Sequence, residues 1–151
     1  MPKARERARV VIVASRFNEP ITQALVRGAR RRLRRAGLSN GAVREVWVPG
    51  AFELPLAASV AAAGRPRAIV AVGCLIKGQT PQYEAIGHAV ANGLMQVSVA
   101  QQVPVGFGVI IADSIAHARA RAGGTMGNRG EEAAAAALDM RAITRRLRSR
   151  R

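Results

Sequence analysis

The sequence predicts an α/β domain in which a parallel sheet lies between two layers of helices. Three observations predict it. Short Val/Ile/Ala-rich runs recur along the chain and are apolar at nearly every position, as strands buried on both faces are. Longer stretches with apolar residues at helical spacing, or rich in alanine, separate them. Gly or Pro punctuates most of the junctions. The 151 residues are one ordinary domain, read as 1–151 with a basic extension at 1–9 and a basic tail at 148–151.

In chain order, Arg9 to Ser15 is the first strand, built on a Val/Ile core. Ile21, Leu25, Ala29 and Leu33 recur at four-residue spacing and predict a helix that Gly37 ends. Val43 to Val48 is a second strand, and Phe52 to Ala63 an Ala-rich helix closed by Gly64. Ala68 to Cys74 is a third strand, followed by a long helix from Pro81 to Gln101. Val105 to Ile111 is a fourth strand. Ser114 starts a short helix that stops at Gly123-Gly124, and Glu131 to Leu147 is the last helix. Strands alternating with helices imply parallel pairing, hence a flavodoxin-like three-layer α/β/α sandwich on a four-stranded sheet.

Such sheets bind ligands beyond the carboxyl ends of their strands, near a switch in strand order. The loops leaving the strands are therefore the candidate site. They read Ser15-Arg16-Phe17-Asn18, Pro49-Gly50-Ala51-Phe52-Glu53, Lys77-Gly78-Gln79-Thr80-Pro81-Gln82-Tyr83-Glu84 and Ala112-Asp113-Ser114. Rings, carboxylates, amides and a lysine on one edge suit a flat polar heterocycle. In the third loop, Thr80 can cap the helix and Pro81 fits its first turn, leaving amides and a helix dipole for a phosphate. The same Thr-Pro pair also serves simply to start a helix.

Net charge is +15. One arginine cluster runs through Arg27, Arg30, Arg31, Arg32, Arg34 and Arg35, another through Arg145, Arg146, Arg148, Arg150 and Arg151. Both fall on expected helices and read first as solvated faces. The few aromatics are not interleaved with them, as base-stacking surfaces would require. Nucleic acid is expected only as a non-specific polyanion. No apolar run approaches the ~20 residues of a membrane span, and the lone Cys74 forms no intrachain disulfide, so a cytoplasmic protein is expected. A dinucleotide-binding domain needs Gly-x-Gly-x-x-Gly after the first strand. Arg16-Phe17-Asn18-Glu19-Pro20 stands there instead. A phospho-acceptor receiver needs an aspartate where Cys74 ends the third strand.

From about Val10 to Leu147 the chain resembles the lumazine synthase family. The resemblance is carried by Ser15-Arg16-Phe17-Asn18, Val48-Pro49-Gly50-Ala51-Phe52-Glu53-Leu54-Pro55, Gly73-Cys74-Leu75-Ile76-Lys77-Gly78-Gln79-Thr80, and Arg121-Ala122-Gly123 through Gly127-Asn128-Arg129-Gly130. It implies condensation of 5-amino-6-(D-ribitylamino)uracil with 3,4-dihydroxy-2-butanone 4-phosphate. An imine forms, phosphate leaves, the ring closes and water is lost, with no metal or organic cofactor. By resemblance, Phe17 stacks on the pyrimidine, the backbone at Ala51 together with Glu53 holds the ribityl hydroxyls, and Leu75 and Ile76 present backbone groups to the ring edge. Gln79, Thr80 and Arg121 take the phosphate. Asn18, Phe52 and Lys77 belong to the same loops, and Phe107 and Arg129 match positions near the site. Phe107 and Arg121 come from the neighbouring subunit in the family. A homo-oligomer follows, a pentamer and, given the short Arg121–Gly130 connection, a shell of sixty.

One position departs from the pattern. The family usually has a histidine where this chain has Gln82, which hydrogen-bonds but does not titrate near neutral pH. His88 is six residues on, about 600° around the helix, and does not replace it. The expected enzyme is thus a transferase with Gln82 and Arg121 as its catalytic positions. The alternative is a catalytically weak shell-forming or ribityl-pyrimidine- or flavin-binding relative, associated with polyanions.

Overall fold

The computed structural model describes residues 9–150. The elements are β1 (Val10–Ser15), α1 (Glu19–Arg35), β2 (Val43–Val48), α2 (Leu54–Ala63), β3 (Ala68–Ile76), α3 (Gln82–Gln101), β4 (Val105–Ala112), α4 (Ile115–Ala120), β5 (Ala122–Gly124), β6 (Gly127–Asn128) and α5 (Arg129–Ser149). The four main strands pair in parallel in the order β2-β1-β3-β4, while β5 and β6 form a small antiparallel hairpin. The strand order reverses between β1 and β3, so the crevice of this sheet opens where those two strands end.

β1 and β3 are central and buried along almost their whole length, which is why their sequences are apolar at every step rather than alternating. Their side chains divide between two cores. Val10, Ile12, Ala14, Val70 and Val72 pack with Leu25, Ala29 and Leu33 of α1 and Ala133, Ala134 and Ala137 of α5. Val11, Val13, Ile69 and Ala71 pack with Leu54 and Ala58 of α2 and Val90 and Leu94 of α3. Helices therefore cover both faces.

Close approach on the α1/α5 side depends on glycine. A Cβ at Gly28 would sit 2.2 Å from the Asn128 side chain, and one at Gly130 would sit 2.0 Å from the Leu25 carbonyl oxygen. Asn128 is the buried N-cap of α5: its Oδ1 accepts from the Gly130 and Glu131 amides at 2.9 and 3.1 Å, and its Nδ2 donates to the Ala24 carbonyl at 3.0 Å. The start of the last helix is thereby fastened to the first.

Several boundaries differ from expectation for local reasons. α1 begins at Glu19 because Pro20 is tolerated in a first turn, and it ends as expected, with Gly37 at φ +87° and the Leu38 amide donating back to the Leu33 carbonyl at 3.1 Å. Residues Ala51–Glu53 form a 3₁₀ turn, and the α-helix starts only at Leu54. β3 runs two residues past Cys74 because β4 continues to pair with it at Leu75 and Ile76. Thr80 does not cap α3. The Pro81 carbonyl accepts from the Glu84 and Ala85 amides at 3.1 and 3.2 Å, so Pro81 is the N-cap, α3 begins at Gln82, and Thr80 lies one residue outside. α4 ends at Ala120, before the expected glycines, which are consumed by the β5–β6 hairpin.

The basic extension expected at 1–9 falls at 1–8 outside the described residues. Arg9 is already bound to the sheet, its amide donating to the Ala42 carbonyl at 2.8 Å. The tail expected at 148–151 begins inside α5, and residue 151 lies outside the described residues. The first arginine cluster is partly neutralised: Arg30 pairs with Glu45, and Arg31 and Arg35 reach Glu131 at 3.7 and 2.8 Å. Among the described residues no helix is long and apolar enough to cross a membrane.

Candidate active site

Parallel pairing brings the ends of β1, β2 and β3 to one edge of the sheet, and their loops are stitched together there. The Arg16 amide donates to the Val48 carbonyl at 2.8 Å and the Phe17 amide to the Pro49 carbonyl at 3.2 Å. Asn18 holds a left-handed backbone, φ +58°, a conformation asparagine tolerates better than most residues. Its Nδ2 donates to the Cys74 carbonyl at 2.9 Å. These bonds leave the Phe17 ring projecting into solvent, 67% exposed, with no core neighbour to explain an aromatic at that position.

A groove of about 520 Å³ opens beside that ring. Phe17 forms one wall. The turn Pro49-Gly50-Ala51-Phe52-Glu53 forms the next, Leu75 and Ile76 the sheet edge, and Gly78, Thr80, Gln82, Tyr83 and Ile86 the far side. The volume is in the range of small-molecule sites. Ala51 is buried and presents mainly backbone, whereas Phe52, Glu53, Thr80 and Gln82 are exposed. The Glu53 carboxylate would lie 3.1 Å from a Cβ placed on Gly50, so the glycine keeps room for it. At the far wall α3 begins. Among the described residues the Gln82 and Tyr83 amides have no acceptor, and a twenty-residue helix stands behind them. Such an end attracts an anion.

Tyr83 Oη donates toward Glu84 at 3.0 Å, with Asp113 at 3.4 Å. The bond to Glu84 raises its pKa above the ordinary tyrosine value, with the charges of both carboxylates adding to the effect, so the phenol stays protonated. Burial pushes the Cys74 thiol up to about 11, which makes it an inert core residue.

Of the residues expected at the site, the groove gathers Phe17, Ala51, Phe52, Glu53, Leu75, Ile76, Thr80 and Gln82. Asn18 supports the wall through Cys74 rather than lining it. Lys77 and Gln79 are exposed on the same loop without lining the groove. Phe107, Arg121 and Arg129 lie elsewhere. Phe107 is 43% exposed on β4 opposite Ala71. Arg121 donates back to the His117 carbonyl at 3.0 Å, and Arg129 pairs with Glu132. Tyr83, which the loop reading included without a role, and Ile86, which was not expected, also line the groove. The available signal was helical spacing, since both share the first turns of α3 with Gln82.

Comparison with known proteins fits this geometry. The sequence profile of the 6,7-dimethyl-8-ribityllumazine synthase family matches residues 7–145. The chain is 49% identical over 134 residues to the 6,7-dimethyl-8-ribityllumazine synthase of Xanthomonas campestris pv. campestris (strain B100), covering 88% of this chain and 87% of the relative. It is similar to the synthases of the same name from Stenotrophomonas maltophilia (strain K279a), at 48% identity over 89% of this chain and 88% of that one, and Xylella fastidiosa (strain 9a5c), at 46% over 93% and 92%.

Proposed function

The chain belongs to the 6,7-dimethyl-8-ribityllumazine synthase family, and from that premise we propose how its groove performs the reaction. It is a transferase of riboflavin biosynthesis that condenses 5-amino-6-(D-ribitylamino)uracil with 3,4-dihydroxy-2-butanone 4-phosphate. The pyrimidine stacks on Phe17, its ring edge meets the backbone at Leu75 and Ile76, and the ribityl hydroxyls bond to Glu53 and the turn at Ala51. The phosphate of the second substrate lies at the start of α3, beside Gln79 and Thr80 and against the open amides of Gln82 and Tyr83. Lys77 adds positive charge to that approach.

The observation that carries this reading is the adjacency of an exposed aromatic ring, a carboxylate and an open helix N-terminus around one groove. The two substrates then lie side by side, and proximity of this kind supplies up to ~7–11 kcal/mol of the barrier. Gln82 orients the reacting groups by hydrogen bonds, and water or the substrate phosphate carries the protons. A steady-state assay with both substrates tests this. Lumazine formation above the uncatalysed background supports it. Ligand binding without turnover would leave a binding relative on the same fold.

The groove of one chain is open, and Phe107, Arg121 and Arg129 stand outside it, Phe107 and Arg129 exposed and Arg121 half-buried. We propose that a neighbouring copy supplies Phe107 and Arg121, in a pentamer that assembles further into a sixty-subunit shell. Support comes from the large apolar side chains that the adjacent helices α2 and α3 leave exposed, Leu56, Val60, Met95 and Val99, the kind of surface that a neighbouring copy would cover. Sedimentation checks both levels: a stable monomer contradicts the shared site, and a free pentamer contradicts only the shell. The lone buried thiol suits a reducing compartment, and we place the enzyme in the cytoplasm.

A further inference from the structure

The end of the sheet remote from the groove carries a second concave site. It lies where β1 and β3 begin. The Arg67 amide donates to the Arg9 carbonyl at 2.7 Å, which brings these two residues side by side just ahead of their strands. On α5, Leu138, Arg141 and Arg145 succeed one another at three- and four-residue spacing and so share one stripe. Ala36, Gly37 and Leu38, at the end of α1, close the remaining wall. Together they enclose about 260 Å³ with an apolar floor of Val10, Leu38 and Leu138 and four guanidinium groups around it.

None of these four arginines takes part in an ion pair among the described residues. The carboxylates of Glu19, Glu45, Glu131 and Glu132 are all engaged elsewhere. Arg141 is half-buried, and its pKa is lowered first by that burial and then by the charges of Arg145, Arg67 and Arg148. Arg9, Arg67 and Arg145 are exposed around it, and four like charges gathered at one concave site repel one another. Among the described residues no carboxylate pairs with them.

We propose that Arg9, Arg67, Arg141 and Arg145 form a second anion site, distinct from the synthase groove, which takes a small compound bearing two adjacent phosphate groups. Guanidinium forks match phosphate oxygens in bidentate geometry. Each phosphate group brings about 1.5–2 negative charges, so two are needed to balance four arginines. No aromatic residue lines the cavity, which removes the stacking that a nucleotide base or a single-stranded nucleic acid would use. The walls on three sides favour a compact anion over an extended backbone.

Titration calorimetry of the full-length chain with inorganic pyrophosphate tests the proposal. Saturable binding is expected, weakened at least about tenfold by Arg67→Gln or Arg141→Gln and changed less than about twofold by Arg121→Ala. Turnover of the synthase substrates should be unaffected in the two former variants. Without pyrophosphate, Arg141→Gln should raise Tm, because a repelling charge is gone, and the further rise that pyrophosphate gives the parent protein should disappear. A merely structural Arg141 would lower Tm instead. The proposal is overturned if pyrophosphate does not saturate at millimolar concentration. It is equally overturned if Arg121→Ala abolishes binding while Arg141→Gln leaves it intact, or if polyuridylate binds through these arginines and pyrophosphate does not.

Discussion

Asn18 Nδ2 and the Cys74 carbonyl oxygen are 2.9 Å apart, joining the loop after β1 to the end of β3 across 56 positions of sequence. That bond, with the left-handed backbone at Asn18, fixes the direction in which Phe17 leaves the sheet. Asn18→Ala loses the bond and strains the backbone, at a combined cost of about 2 kcal/mol. Asn18→Gly should recover the backbone share alone. Urea unfolding of the two variants reads the difference, and the Michaelis constant for the pyrimidine should rise in both. An alanine variant as stable as the parent would remove the tie from this account.

Gln82 stands on the first turn of α3 and in the groove wall, where we propose that it orients the reacting groups. General acid–base help typically contributes about 10²–10⁴-fold. Gln82→His is therefore expected to raise kcat and to introduce a pH dependence centred near the imidazole pKa of ~6.5. Gln82→Ala should lose much less than Phe17→Ala. A flat pH–rate profile in the histidine variant would show that proton transfer does not limit turnover.

The Arg121 guanidinium donates to the His117 carbonyl of α4 and, among the described residues, to no other group. If it serves a neighbour's groove, Arg121→Ala should raise KM for the four-carbon phosphate about 10- to 100-fold, the worth of a charge-assisted hydrogen bond, and barely alter KM for the pyrimidine. Equal effects on both substrates would count against the phosphate role. Mixing Arg121→Ala with Phe17→Ala chains should restore part of the activity, because a mixed assembly contains some intact sites.

Cys74 is buried and its thiol pKa is raised to about 11. The folded protein thus holds the proton more tightly than the unfolded chain, whose thiol titrates near ~8.5. The stability this contributes is complete below that value and is lost as pH climbs from there toward 11. Native protein at pH ~8 should react with an aromatic disulfide reagent far more slowly than urea-unfolded protein. Rapid labelling of the native state would mean that the end of β3 opens readily.

The strands and helices were legible because burial on both faces leaves a plain trace: β2 spans Val43–Val48 as its residues imply, and the apolar stripe of α1 is the one that packs. Loops were legible in chemistry but less so in detail. Thr80 looked like a cap because threonine often is one, yet the Pro81 carbonyl accepts from the next helical amides and moves the boundary by one residue. The β5–β6 hairpin left no strand signal, since its residues are mostly glycine. Ile86 became visible as a groove residue only once the start of α3 was known. Phe107, Arg121 and Arg129 illustrate a different limit: nothing within one chain says what a residue facing outward will meet.

The rivet between α5 and α1 also has a consequence for synthesis. Asn128 and Gly130 fit only against an α1 that is already in place, and Ala133, Ala134 and Ala137 complete the core over β3 and β4. During translation the part of that side over β3 and β4 that α5 covers stays open until α5 emerges. At ~5–20 residues per second, the 21 residues of α5 take about 1–4 s to make. For that interval every nascent chain presents the same partly bare strands to its neighbours on a polysome, so α5 works as a built-in timer that a slow codon within it would lengthen.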